Sequence, residues 1–313
     1  MKLVFCGTPA FAVPTLKLAL RAGYDVPLVV TQPDRPVGRD QTLTAPPIKT
    51  TAMEAGIPVV QPEKIKNNAE LRAQLEAVKP DAILVVAYGR IIPKWMLELP
   101  RLGNLNLHAS LLPKYRGAAP IQWAIANGEP ATGATTMRLD EGLDTGDILL
   151  QREMTVPPDM TAMDVFPLLA EMGADLMMET LRELDAGTIA PRKQDHTRAT
   201  LAPILTREDG RMDFKQPAMT LYNRWRGFQP WPGAWTLLGG KKLTMHRLLP
   251  TELRGTPRME PGQLLAEHGT LFVACGEGTW LELVEVQVEG KRRMTAADFL
   301  RGNAVESGTR VGD

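Results

Sequence analysis

Residues 3–10 read Leu-Val-Phe-Cys-Gly-Thr-Pro-Ala, and the break at Gly7 decides the fold. Leu3 to Cys6 is a short unbroken apolar run, as a strand buried on both faces requires. Gly7-Thr8-Pro9 ends it. Ala10–Ala22 follows with Leu16, Leu18, Ala19 and Leu20 in a helical pattern, and Pro14 delays the helix start. Working outward, Val26–Thr31 and Ala82–Ala87 are further apolar runs, and Asn67–Val78 between them places Leu71, Leu75 and Val78 on one helical face. Strands alternating with helices predict an α/β fold, a Rossmann-like and mostly parallel sheet covered on both sides. The same break excludes one function. A dinucleotide site needs Gly-x-Gly-x-x-Gly at this junction. Cys6-Gly7-Thr8-Pro9-Ala10 lacks the second and third glycines, which disfavours an NAD-dependent oxidoreductase.

The chain has 313 residues, with 36 basic residues balanced by 36 acidic ones. That length predicts two domains. Residues 161–185 read as one helix, with Val165, Leu168, Leu169, Met172, Leu176 and Leu181 as its apolar stripe. A polar, irregular stretch follows. The expected boundaries are a catalytic domain over 1–189, a linker over 190–206 and a smaller C-terminal domain over 207–313. In the last, a helix is expected around Ala218–Arg226. Short alternating runs such as Leu271–Ala274 and Thr279–Val288 predict a small β-barrel of OB-like type. Residues 207–258 carry ten basic and four acidic side chains, and residues 259–313 carry five and nine. A locally basic half suits a phosphate backbone. Tyr222, Trp225, Phe228, Trp231 and Trp235 are expected as a hydrophobic seam more than as base-stacking platforms.

Cys6 and Cys275, the only cysteines, lie in apolar segments and read as two reduced, buried thiols of a cytoplasmic protein. Four histidines without ligand spacing give no metal signature. No run reaches the roughly 18 apolar residues of a membrane span. A monomer without membrane contact is expected.

The chemistry gathers in two stretches. Residues 103–117 read Gly-Asn-Leu-Asn-Leu-His-Ala-Ser-Leu-Leu-Pro-Lys-Tyr-Arg-Gly, and residues 140–147 read Asp-Glu-Gly-Leu-Asp-Thr-Gly-Asp. Asn106 and His108 stand two apart, so on a strand both side chains leave one face. An amide donor beside an imidazole can handle charge developing on a carbonyl oxygen. Asp144, on a glycine-flanked turn, can orient or discharge the ring. By itself a histidine at a strand end is more often structural. The residues around it change that balance.

Asn106-x-His108-x-Ser110-Leu111-Leu112-Pro113 together with Gly142-Leu143-Asp144-Thr145-Gly146 resembles the folate-dependent formyltransferase family. The similarity extends to Thr31-Gln32-Pro33-Asp34-Arg35-Pro36, Val86-Ala87-Tyr88-Gly89 with Ile92-Pro93, Arg116-Gly117-Ala118-Ala119-Pro120-Ile121-Gln122, and Phe228-Gln229-Pro230-Trp231-Pro232. These cover nearly the whole chain. The long proline-rich loop over 32–49 and the complete second domain favour the branch that formylates methionyl-tRNA. The resemblance implies transfer of a formyl group from 10-formyltetrahydrofolate, as formyl-donor co-substrate, to the amino group of methionine on initiator tRNA, with no metal. It implies Asn106, His108 and Asp144 as the catalytic trio. It implies folate contacts from Ser110, Leu111, Leu112 and Pro113, with backbone near Tyr88, Gly89 and Ile91 around the pterin. Arg39 on the long loop would reach the acceptor end of the tRNA, although Asp40-Gln41 follows where such relatives often carry further lysines. Arg224, Arg226, Lys241, Lys242 and Arg247 would hold its phosphates. The competing readings are a formyltransferase or formyl-hydrolase for a small molecule, such as a sugar-nucleotide amine, and a nucleic-acid-binding protein on a degenerate transferase scaffold.

Overall fold

The computed structural model describes residues 1–38, 40–253, 259–303, 305–306 and 309–312. They form two compact units, the first Met1–Pro120, Ala131–Thr155 and Asp164–Pro203, the second Ile121–Pro130, Val156–Met163 and Ile204–Asp313.

In the first unit β1 (Lys2–Gly7) passes through one 3-10 turn into α1 (Val13–Arg21). Pro14 sits in the first turn of α1, where a missing N–H leaves nothing unpaired. Then come β2 (Asp25–Val30), a hairpin of β3 (Arg35–Val37) and β4 (Thr42–Thr44), α2 (Pro47–Glu54), β5 (Val59–Val60), α3 (Ala69–Val78) and β6 (Ala82–Val86). They are followed by α4 (Lys94–Leu97), β7 (Asn104–His108), β8 (Arg116–Gly117), β9 (Ala131–Arg138), β10 (Ile148–Thr155), α6 (Ala162–Ala186) and β11 (Leu201–Ala202), and between β8 and β9 the chain passes through α5 (Pro120–Ala126), all but the first residue of which belongs to the second unit.

Seven strands form one sheet in the order β10-β9-β7-β6-β1-β2-β5. The five from β7 to β5 are parallel, and β9 and β10 are antiparallel. The alternation of strand side chains builds the core. Val4 and Cys6, Leu28 and Val30, and Ile83 and Val85 share a cluster with Leu71 and Leu75 of α3. Each such side chain contributes roughly 1.5–3 kcal/mol on burial. Asn68 fixes where α3 starts, its side chain accepting from Leu71 N at 2.9 Å. The chain runs from β1 outward to β2 and returns to β6 on the other side of β1. The strand order therefore reverses between β1 and β6, and ligands of open α/β sheets bind at such a point, beyond the carboxyl ends of the strands.

Two stretches differ from expectation. The proline-rich 32–49 segment contains the β3–β4 hairpin and the start of α2. Pro46-Pro47, which read as loop punctuation, instead places Pro47 at the head of a helix. The hairpin is footed by Asp34, whose carboxylate accepts from Lys49 Nζ at 2.7 Å and Gln61 Nε2 at 2.7 Å. Gln61 and Lys49, in that order, hold the Asp34 carboxyl below its usual range. The second is the 190–206 stretch. Arg192 and Ile148 exchange two backbone hydrogen bonds of 2.8 Å, and β11 runs parallel to β8. Polar residues read as a tether here because their partners lie tens of positions away.

The second unit holds α7 (Ala218–Gly227), β12 (Trp235–Leu238), β13 (Lys241–Thr251), β14 (Leu264–Glu267), β15 (Thr270–Ala274), β16 (Trp280–Val288), β17 (Met294–Thr295) and α8 (Ala296–Gly302). Its strands form an antiparallel sheet in the order β12-β13-β16-β15-β14, with β17 added to β16. Among the described residues no pairing joins β12 to β14. Leu243, Met245, Leu248, Leu281, Leu283 and Val286 point inward against Leu221 of α7 and Phe299 of α8. Of the five clustered aromatics, Phe228 is 1 % exposed and stacks edge-on against Trp123 at 5.2 Å, while Trp231 is 54 % exposed. No described helix is long and apolar enough to cross a membrane.

Candidate active site

β7 lies between parallel β6 and antiparallel β9, with Asn106 opposite Met137 and His108 opposite Thr135. Asn106 and His108 leave the same face of this central strand, as the period-two reading requires. His108 is 5 % exposed. Its Nε2 lies 2.8 Å from the carbonyl oxygen of Tyr115. A carbonyl only accepts, so the ring proton sits on Nε2 and Nδ1 is the nitrogen facing Asp144, with Oδ2 at 3.7 Å. That gap exceeds a hydrogen bond. The Tyr115 carbonyl, not Asp144, therefore fixes the ring. The same Oδ2 accepts from Gly117 N at 2.8 Å. Asn106 is 9 % exposed, and among the described residues no protein group hydrogen-bonds its carboxamide.

The loops that hold this geometry are tightly wound. Tyr115 and Asp144 both adopt positive φ, 60° and 52°. Gly117, at φ 121°, passes so near β11 that a Cβ would lie 2.6 Å from Ala202 O. Tyr115 N donates to Thr200 Oγ1 and Arg116 N to Thr200 O, both at 2.8 Å.

The expected folate segment faces inward. Ser110 is fully buried, its hydroxyl donating to Lys114 O at 2.6 Å. Leu112 packs against Met137 and Ile148. Its N–H donates to Thr135 Oγ1 at 3.2 Å, and its carbonyl accepts from Gln151 Nε2 at 2.9 Å. The Ser110 and Leu112 side chains are thus engaged within the first unit. Leu111 and Pro113 are half-buried, and Leu111 lies across Gly133, where a Cβ would meet it at 2.6 Å. The Tyr88 side chain is also internal, its hydroxyl buried with no partner among the described residues and its phenol pushed upward in pKa by burial. Its carbonyl accepts from Thr8 Oγ1 at 3.1 Å and Gln32 Nε2 at 3.0 Å, a link across the β1/β6 reversal. Among the described residues no backbone hydrogen bond runs from the N–H groups of Tyr88, Gly89, Arg90 or Ile91, and the Ile91 side chain is 90 % exposed.

In the second unit the basic candidates separate. Arg226 is 4 % exposed and donates to the carbonyls of Pro157 and Met160 at 3.2 and 2.8 Å and to Asn223 Oδ1 at 2.6 Å. Burial lowers its pKa. Its guanidinium is buried against these backbone carbonyls and lies 5.6 Å from the Tyr222 ring centre. Arg224 is half-buried over Phe228 and donates to Asp209 O at 2.8 Å. Lys241 and Arg247 are exposed. Lys242 lies 5.1 Å from the Trp235 ring centre, with Arg207 and Arg211 at 5.9 Å from the same ring. Desolvation, and next Arg207, lowers the Lys242 pKa. Arg39 lies outside the described residues.

Sequence reasoning passed over Arg207 and Arg211 as candidates, and in the first unit Thr135, Gln151 and Gln194. The basic count over 207–258 included both arginines without marking them. Thr135 and Gln194 carried no signal, since their partners are 25 and 50 positions distant. Among the described residues no group of three or more His, Cys, Asp or Glu side chains is arranged to hold a metal.

Residues 1–181 match the Formyl transferase family, and residues 204–304 match its C-terminal domain. The methionyl-tRNA formyltransferase of Acidobacterium capsulatum is 71 % identical over 312 residues, all of both chains. Those of Koribacter versatilis and Caldanaerobacter subterraneus are 56 % and 46 % identical, with at least 99 % of each chain covered. Among solved structures, WlaRD, a sugar 3N-formyl transferase, matches with TM-score 0.67 and 17 % identity over 93 % of this chain and 99 % of its own. HypX from Aquifex aeolicus, in complex with tetrahydrofolic acid, matches with TM-score 0.62 and 19 % identity over 96 % of this chain and 47 % of its own. The chain belongs to the formyl transferase family and, at this level of full-length identity, to its methionyl-tRNA formyltransferases.

Proposed function

We propose that this enzyme moves the formyl group of 10-formyltetrahydrofolate onto the α-amino group of methionine carried by initiator tRNA. The observation that carries the reading is the pairing of Asn106 and His108 on one face of β7, with the Asp144 carboxylate 3.7 Å from Nδ1. The neutral amine attacks the formyl carbon, and the carbonyl oxygen gains negative charge. The unengaged Asn106 amide donates to that oxygen, beside His108. Asp144 takes the amine proton through water. The bond from the formyl carbon to the folate nitrogen then breaks, and that nitrogen takes up the proton relayed from Asp144, which leaves the carboxylate ionised and releases tetrahydrofolate and the formylated amine.

For the donor, the free N–H groups of Tyr88 to Ile91 suit the donor–acceptor edge of a pterin. They stand at the strand-order reversal, where such ligands bind. For the acceptor, Arg207, Arg211 and Lys242 around Trp235, with Lys241 and Arg247, suit phosphates held without regard to sequence. The full-length relatives named methionyl-tRNA formyltransferase support the same acceptor. The test is a formylation assay with 10-formyltetrahydrofolate, run on methionine-charged initiator tRNA, charged elongator tRNA and amino-sugar nucleotides. Rapid formylation of the initiator species alone is expected. Preferential formylation of an amino sugar would overturn the reading.

A further inference from the structure

Gln194 is 5 % exposed, and its carboxamide is fully engaged within the first unit. Oε1 accepts from Nε and Nη2 of Arg116 at 3.2 and 2.6 Å. Nε2 donates to the carbonyl oxygens of Asp144 and Gly146 at 2.8 and 2.7 Å. A guanidinium only donates and a carbonyl only accepts, so the amide has a single possible orientation. The loop it grips carries Asp144, held in the left-handed region at φ 52°. Gly146 passes so near the preceding strand that a Cβ there would lie 1.8 Å from Arg138 O. Asp140 Oδ1 accepts from Gly142 N and Thr145 Oγ1, which winds the loop upon itself without reference to the sheet. Gln194 adds a side-chain tie from this loop to Arg116, beside the Gly117 N–H that Asp144 accepts and the Arg138 N–H that Asp147 O accepts. The Arg116 it also holds is flanked by Tyr115, whose carbonyl meets His108, and by Gly117, whose N–H meets Asp144. One side chain thus spans the two loops whose separation sets the distance from the Asp144 carboxylate to the imidazole.

We infer that Gln194 is a positioning residue for formyl transfer, acting through Asp144 by fixing the loop that presents its carboxylate to His108 Nδ1. This rests on the function proposed above, because it takes Asp144 as a working group. Gln194→Glu is the sharpest variant. It keeps the shape and the acceptor for Arg116, and it sets an acceptor against two carbonyls. Small displacements of a working group cost up to about 100-fold in rate.

The experiment measures kcat, KM for each substrate and thermal unfolding for wild type, Gln194→Glu, Gln194→Met, Asp144→Asn and the Gln194→Glu/Asp144→Asn double variant. Expected are a cooperative unfolding transition for Gln194→Glu, a kcat lowered about 10- to 100-fold and both KM values within about threefold. In the Asp144→Asn background the same substitution is expected to cost less than about twofold, since groups acting as a unit are not additive. A wild-type kcat for Gln194→Glu, a rise in KM alone, or the full penalty persisting without the Asp144 carboxylate overturns the inference. So does loss of the cooperative transition in both Gln194→Glu and Gln194→Met, which makes the residue architectural. Wild-type protein that formylates no initiator tRNA, or Asp144→Asn as fast as wild type, overturns the functional reading itself and is distinguished by that arm.

Discussion

A ring nitrogen bonded to a carbonyl and another facing a carboxylate leave His108 with little freedom to rotate. The reach of Asn106 and His108 was legible from the letters because it depends only on local alternation, Leu105 and Leu107 pointing to the opposite face. The glycine-flanked turn marked Asp144 as a candidate, but its partner was not legible, since Gly117 lies 27 positions away. Sequence alone does not separate residues such as Ser110 and Leu112 into ones that face substrate and ones that support the strand, because both kinds look alike beside a catalytic histidine. Away from the site, Asp81 shows how a single carboxylate ties the parallel sheet together. It accepts from Lys2 N at 2.8 Å and from Arg101 Nε at 3.0 Å. The Lys2 bond first, and Arg101 next, hold its carboxyl below the usual range. A depressed folded pKa means stability that is complete above the unfolded value and lost as pH falls through the folded one. Asp81→Asn is therefore expected to lower the urea midpoint at neutral pH, and the difference from wild type is expected to shrink as the buffer is acidified through the carboxylate range. A difference that stayed constant with pH would contradict the assignment.

At the level of elements, the alternating first half announced its parallel strands because each is a continuous apolar run. The antiparallel pair β9 and β10 escaped notice. Thr132, Thr135 and Thr136 are buried in β9, so polar letters occupy core positions there and the strand does not look apolar. β8 and β11, two residues each, are too short for any periodicity to mark them. They nevertheless brace the loop carrying Tyr115 and Gly117. At Gly117 the positive φ and the nearby Ala202 carbonyl both exclude a side chain. Gly117→Ala is expected to cost at least about 1–3 kcal/mol from backbone strain alone. It should also lower formyl transfer by displacing the N–H that Asp144 accepts. Calorimetry and turnover on the same preparation check this, and a variant with native melting and native rate would refute it.

For the whole molecule, charge and acceptor chemistry belong together. The formal balance of the chain hides a basic half of the second domain, and net charge alone would have pointed to no polyanion. Neutralising phosphates releases counterions, so affinity for charged initiator tRNA is expected to fall steeply with salt. Lys242→Ala and Arg211→Ala are each expected to reduce the slope of log affinity against log salt by about 1. Arg226→Ala is expected to damage folding without changing that slope, because its guanidinium is held by backbone carbonyls. Equal slopes for wild type and the Lys242 and Arg211 variants would remove the phosphate role. The central claim is that the Asn106 amide, without a protein partner among the described residues and beside His108, steadies the oxygen of the transferring formyl group. Its most direct test is the single-turnover rate of formyl transfer to methionyl initiator tRNA by Asn106→Ala, with thermal unfolding checked on the same sample. A native melting transition with a rate lowered about 10²- to 10³-fold is expected; a rate near that of wild type would contradict the account.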